Sequence, residues 1–369
     1  MHVASACHSG NIAAQAAVSN GVSAFVRRSG AHDIEQHTAQ LQDWALCYDQ
    51  LDCGRFRGQF TDVRWPGVQL FMEGTTRRLR QRGHLQAGGF AAGLLLHGAG
   101  NLSVNGAQSG VGSVLACDAT AVDICTPTDC TLIGLVIDGQ ALREAATRMN
   151  EPQLFEGEGM MASMTPPEAA LAPWRDLLLA TLRVATEQPD RLHDAAFQKT
   201  ASEALMTGLL TVLTAASRGE QVLPIDRRKR IVDRACEMLL AQPDAPPSLF
   251  EVCSHVGASP RKLGYCFQDV LGVSPVRYIK AMRLNAVRRE LAHTHDPDLS
   301  VYDVAARWGF WHFGHFSADY KKQFMELPSE TLRLTRVRGA RGGPGTGIAG
   351  AGSGPNARLA AALHAPRIA

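Results

Sequence analysis

Two segments decide the fold: Ser248-Leu-Phe-Glu-Val-Cys-Ser-His-Val-Gly257 and, about fifty residues later, Ser300-Val-Tyr-Asp-Val-Ala-Ala-Arg-Trp-Gly309. Each opens on a residue that caps helices well, continues as a short amphipathic run and stops at a glycine. A second helical run follows each and carries a pair of apolar anchors four apart, Leu263 and Phe267 in the first copy, Phe316 and Tyr320 in the second. The second copy needs one extra residue in its turn. Beyond the anchors come Pro275 and Pro328, at matching distances. A capped helix, a glycine turn and a second helix form the outline of a helix-turn-helix, whose second helix enters the DNA major groove. Two in tandem predict one protein reading two successive grooves.

Working outward, Ser259 caps the second helix of the first copy and Pro260 stands at its first position, where a missing N–H costs nothing. With Leu263 and Phe267 inward, the outward residues are Arg261, Lys262, Gly264, Tyr265 and Gln268. Arg261 has the fork to bond guanine, Tyr265 can meet a base edge or phosphate, and Gly264 permits close approach. In the second copy His312, Phe313, His315, Ala318 and Asp319 face outward beside Gly314, with Lys321 and Lys322 placed for phosphates. These offer few hydrogen-bonding readers, so the second copy is expected to contribute shape and apolar contact. Between the copies, Pro275 to His293 reads as one helix with Tyr278, Ile279, Met282, Ala286, Val287 and Leu291 as its stripe. Arg277, Lys280, Arg283, Arg288 and Arg289 fall off that stripe, as a solvated face or phosphate contacts. The cluster Arg227, Arg228, Lys229, Arg230 opens the preceding helix, 225–241, and invites the same two readings.

The chain has 369 residues and a formal net charge of +2, and 45% of its residues are hydrophobic. That length suits two domains. Residues 225–336 hold 17 Lys and Arg against 13 Asp and Glu, a modest basic excess. No apolar run approaches the roughly eighteen residues of a membrane span, and the first residues lack a secretory signal's charged start and apolar block, so a cytoplasmic location is expected. Nine cysteines without a Cys-x-x-Cys argue for reduced thiols over a disulfide framework or zinc knuckle.

Residues 1–32 read as a flexible leader, and Ala39, Leu41, Trp44, Tyr48 and Leu51 suggest an amphipathic helix. Short apolar runs follow, at 68–72, 90–96, 102–104, 111–115, 121–125 and 132–137, with Asn105-Gly106 as a hairpin signal. They predict a small sandwich or barrel able to enclose one ligand. Helices are expected at 142–149, 174–187 and 192–218, the last with a stripe wide enough to pack on its own barrel or a second subunit. A linker around Glu220 to Pro224 precedes the helical part, and residues 337–369 read as a disordered tail. The fold class is therefore α+β: a β-rich, barrel-like regulatory half with packing helices at 33–219, and an all-α half at 225–336.

Together, Ser259-x-x-x-Leu263-x-x-x-Phe267, Gly272-x-Ser274-Pro275-x-x-Tyr278 and Trp308-Gly309-Phe310 followed by Phe316 resemble the AraC family of transcription regulators, over about a hundred residues. The N-terminal string Trp44-x-x-x-Tyr48-x-Gln50-Leu51-x-x-Gly54-x-Phe56-x-Gly58 looks like the subgroup containing the ethanolamine-operon regulator. The resemblance implies a double-stranded DNA operator, two helix-turn-helix units, an N-terminal effector and dimerisation domain, and transcription activation with RNA polymerase as partner. It places base-reading sites on Arg261, Gly264 and Tyr265 and on Phe313, Gly314 and Ala318. The chain departs from the family pattern at several of these and at Met325, where glycine is common. No cofactor is implied and the effector is unspecified. Two alternatives are a nonspecific architectural DNA binder and a cupin-like enzyme fused to a DNA-binding domain. The second lacks a His-x-His metal motif, and the cysteine spacing excludes the four-cysteine zinc site of a DNA-repair methyl acceptor.

Overall fold

The computed structural model describes residues 24–41, 44–84, 88–104, 107–117, 121–155, 161–217, 227–241, 247–294 and 296–341. Its first part is two open sheets. One has seven strands in the order β1-β3-β4-β11-β6-β9-β12, and the other five in the order β2-β5-β10-β7-β8. The strands are β1 Phe25–Ala31, β2 Ala45–Gln50, β3 Gly58–Trp65, β4 Val68–Thr75, β5 Leu79–His84, β6 Gly89–Ala99, β7 Leu102–Val104, β8 Ala107–Ser109, β9 Val114–Cys117, β10 Ala121–Thr126, β11 Thr128–Asp138 and β12 Met161–Met164. Helices α1 Ile34–Thr38, α2 Gly139–Arg148, α3 Glu168–Glu187 and α4 Ala195–Ser217 accompany them. The expected barrel is therefore not closed. Strands β7 and β8 pair with Val104 opposite Ala107, in the register a hairpin needs, while Asn105 and Gly106 themselves lie outside the described residues.

The larger sheet rests on α3 and α4. Val63, Trp65, Leu70, Ile133 and Leu135 meet Trp174, Leu178, Leu205 and Leu209 in one core. The apolar stripe of α4 is thus covered within the chain. Buried Trp65 stays satisfied because its indole N–H donates to Ser202 Oγ at 2.8 Å.

Two expectations fail here. Phe25–Ala31, expected as part of a leader, is an edge strand paired along its whole length with β3. The segment around Tyr48, expected as a helix, is β2 paired with β5. Its spacing misled because both faces are buried: Leu46 and Tyr48 enter a core between the sheets, while Cys47 and Asp49 are buried on the alternate positions. A strand covered on both sides loses the alternation that identifies it.

The second part comprises α5 Arg227–Ala241, α6 Leu249–Val256, α7 Pro260–Leu271, α8 Pro275–His293, α9 Val301–Arg307, α10 Phe313–Phe324 and α11 Pro328–Arg341. Helix α11 runs beyond the expected domain end, and the rest of the expected tail, like residues 1–23 and the expected linker, lies outside the described residues. Helix α8 belongs to two cores. Tyr278 and Met282 pack with α5, α6 and α7, whereas Leu284, Val287 and Leu291 pack with α9, α10 and α11.

Helix α8 also packs against the β-rich half, which corrects the reading of its charges. Arg288 is buried and bonds Glu326 at 2.5 Å, and Arg289 bonds Asp49 at 2.8 Å. Asn285, fully buried, donates to the Gln50 carbonyl at 2.9 Å and accepts from the Gln50 N–H at 3.0 Å. Nearby, Arg80 of β5 holds Asp123 through two bonds of 2.9 and 2.8 Å and reaches the Tyr278 hydroxyl and Cys236 Sγ. Lys229 of the basic cluster is buried against Asp123 and Asp233 instead of lying on a solvated face, and Arg228 pairs with Asp269. Burial pushes the Asp49 carboxyl up, but Arg289 and Arg82 outweigh it and hold the group below the ordinary carboxylate range. Asp123 is held lower still by Arg80 and Lys229 against its own burial.

Candidate nucleic-acid interface

Helix α6 starts in a capping box: Ser248 Oγ accepts from the Glu251 N–H while the Glu251 carboxylate accepts from the Ser248 N–H. It ends at Gly257, whose φ of 64° is the left-handed conformation that glycine takes without penalty. Two residues on, Ser259 caps α7 by accepting from the Lys262 N–H at 3.2 Å, and Pro260 fills the first position. Leu263, Cys266, Phe267, Val270 and Leu271 are buried beneath this helix. Its other face is open: Arg261, Lys262, Tyr265 and Gln268 are exposed.

Arg261 and Tyr265, one turn apart, hold each other on that face. The guanidinium donates to the Tyr265 hydroxyl at 3.3 and 3.2 Å and lies 5.7 Å from its ring centroid. The two expected readers thus form one unit, pre-ordered before any partner arrives. Gly264 sits between them, and a Cβ there would meet nothing within 4 Å. Gly264→Ala is accordingly expected to raise stability by about 0.5–1 kcal/mol through helix propensity while weakening DNA binding; denaturant midpoints and binding titrations on one sample check both signs.

The second unit differs. Ser300 caps α9, with Oγ accepting from the Asp303 N–H at 3.1 Å, but His312 caps α10 without a side-chain bond. Phe316, Tyr320, Gln323 and Phe324 are buried. His312, Phe313, Gly314, His315, Ala318, Lys321 and Lys322 are exposed. Asp319, expected to face outward, instead pairs with Lys280 and ties α10 to α8. Sequence reasoning missed two further side chains. Trp311 is 68% exposed and Tyr302, 56% exposed, lies 6.1 Å from the Phe313 ring. For Trp311 the signal was the run Trp308-Gly-Phe-Trp311, of which only the first three residues entered the reading, as part of the family resemblance. Helix α10 ends on Met325 at φ 59°, a conformation costly for any side chain. Met325→Gly is expected to stabilise the chain by about 1 kcal/mol, as a higher denaturation midpoint.

Helix α8 separates the two units. Its 19 residues span about 28 Å, not far short of the roughly 34 Å between successive major grooves on one DNA face. No group of three or more His, Cys, Asp or Glu among the described residues is placed to hold a metal, and the eight described cysteines are free thiols. No described helix is long and apolar enough to cross a membrane.

A helix-turn-helix domain model matches residues 252–334. The chain is 35% identical over 137 residues to the "Probable thc operon regulatory protein" of Rhodococcus erythropolis, covering 37% of this chain and 41% of that one. It is 36% identical over 80 residues to "XylDLEGF operon transcriptional activator 1" of Pseudomonas putida, covering 22% and 24%. Among solved structures, an AraC-type DNA-binding-domain regulator from Chromobacterium violaceum aligns over 32% of this chain and 96% of its own, at 28% identity and a TM-score of 0.27. The chain thus spans less than half the length of these curated relatives. The matches do not bear out the narrower likeness to the ethanolamine-operon regulator subgroup. The matching region, 252–334, holds α7 and α10, the second helices of the two units, so this part of the chain is similar to a helix-turn-helix domain, and the curated relatives it resembles are transcription regulators.

Proposed function

We propose that this chain is a sequence-specific transcription activator that binds a double-stranded operator through α7 and α10, engages RNA polymerase and answers to a small molecule received by its β-rich half. The DNA-binding domain comprises residues 225–336, and residues 33–219 form the effector and dimerisation domain. The observation that carries the reading is the open face of α7, where Arg261 and Tyr265 are ordered over a fully buried anchor. Arg261 reads a guanine edge, Tyr265 an adjoining base or phosphate, and Lys262, Gln268, Lys321 and Lys322 hold the backbone. The second unit, with Phe313, Trp311 and Tyr302 exposed, adds apolar contact with thymine methyl groups and groove shape.

The relatives named as operon regulators and activators support this reading. Hydroxyl-radical footprinting on an operator selected from random DNA tests it. Protection of two successive major grooves on one DNA face is expected; protection of a single groove, or equal affinity for random sequence with steep salt dependence, identifies an architectural binder instead.

A further inference from the structure

We propose that the cleft between the β-rich half and α8 is a binding site for a small organic anion, with its carboxylate or phosphate head held by Arg55, Arg57 and Arg288. This rests on the regulator reading and adds where and by what chemistry an effector acts. The cleft measures about 340 Å³ and is walled by both halves of the chain, a size typical of small-molecule sites. The cavity between the sheets, by contrast, holds about 80 Å³, room for only a few atoms.

Charge decides the ligand class. Three arginines line the cleft against two carboxylates, Asp33 and Glu326, and both carboxylates are already engaged. Asp33 accepts from the Gln36 N–H at 2.8 Å. Glu326 accepts from Arg288 and from the Thr331 hydroxyl, each at 2.5 Å. Arg55 and Arg57 are exposed and have no side-chain partner among the described residues. Arg288 is 4% exposed, and its Nε finds no hydrogen-bond partner among the described residues. Spare donors therefore come from two directions, from the loop before β3 and from α8. Planar guanidinium forks match an oxyanion head, while Phe56 and Phe324 line the same cleft and suit a short apolar body.

The position gives the site a consequence. An anion touching Arg55 and Arg57 on one side and Arg288 on the other binds only the arrangement in which the halves are docked, and so shifts the population toward it. Because α8 sets the spacing of the two DNA-reading units, the anion acts on their geometry.

The test uses the full chain at constant ionic strength, titrated with inorganic phosphate, phenyl phosphate, phenylacetate and, as the neutral control, benzyl alcohol. At least one anion is expected to raise the melting temperature in a saturable manner and to slow amide exchange at Gln50 and in 281–289, with benzyl alcohol inert. Whether the carboxylate or the phosphates bind identifies the head group. Arg55→Gln combined with Arg57→Gln, both at exposed positions, should raise Kd about tenfold or more, as expected for lost charge-assisted bonds. Arg261→Ala combined with Lys262→Ala should leave Kd unchanged. No saturable anion effect, an unaltered Kd in the first double variant, or a shifted Kd in the second would each overturn the site. Binding without slowed exchange would overturn the bridging role. None of these readouts depends on DNA, so the anion site and the operator reading fail separately.

Discussion

Replacing Arg80 with methionine is expected to lower the unfolding free energy by about 3–5 kcal/mol, the range for removing one partner of a buried ion pair. Arg80 is 2% exposed and makes two bonds to Asp123. It also supplies the Tyr278 hydroxyl with a donor inside the core beneath α7. Without the guanidinium, Asp123 keeps Lys229 but loses its bidentate partner, and the Tyr278 hydroxyl loses the donor that Arg80 supplies. Urea unfolding checks the magnitude. Arg80→Lys restores charge but not the fork, so it should recover only part of the loss. A loss under about 1 kcal/mol, in the range of exposed pairs, would show that the seam between the halves contributes little.

The seam also has an acid limit whose sign is fixed. The folded-state values of Asp49 and Asp123 are lowered, so their contribution is present above the ordinary carboxylate range near pH 4 and disappears as pH falls through the lowered values. For these two groups the stability of the seam is therefore constant from about pH 5 to 8, and the Arg80→Met deficit should shrink only in stronger acid.

Arg261→Ala is expected to weaken operator binding by about 1–3 kcal/mol, or roughly 5- to 150-fold, and to relax the preference at one base position. Tyr265→Phe, which removes the hydroxyl that Arg261 holds, should have a smaller effect in the same direction by releasing the guanidinium. The decisive comparison is random DNA. If affinity there falls by the same factor, Arg261 is a phosphate contact and base reading lies elsewhere. Neither substitution should change stability much, since both side chains lie on the open face of α7.

The two sites differ in how far they could be read from sequence. Ser248, Gly257, Ser259, Pro260, Leu263 and Phe267 act through neighbours within one or two helical turns, and caps, left-handed turns and i,i+4 anchors are local physics. The open face of α7 followed as their complement. In the β-rich half β4, β6, β7, β10 and β11 were legible as short apolar runs and β9 in part, whereas β3, β5 and β12 drew no expectation, β2 is buried on both sides, and β1 contains two arginines and lies at a sheet edge.

Local patterns were thus enough for the two helix-turn-helix units, the unlike residues on their outward faces and the helix between them. Which charges those helices bury depended on how the whole chain packs. Arg289 meets Asp49 across 240 positions, Arg80 meets Tyr278 across 198, and Lys229 meets Asp123 across 106. An arginine on a helix reads as solvated until the chain brings a distant carboxylate to it, because burial of a charge is tolerable only once that partner is in place. Local spacing carries no record of such a partner.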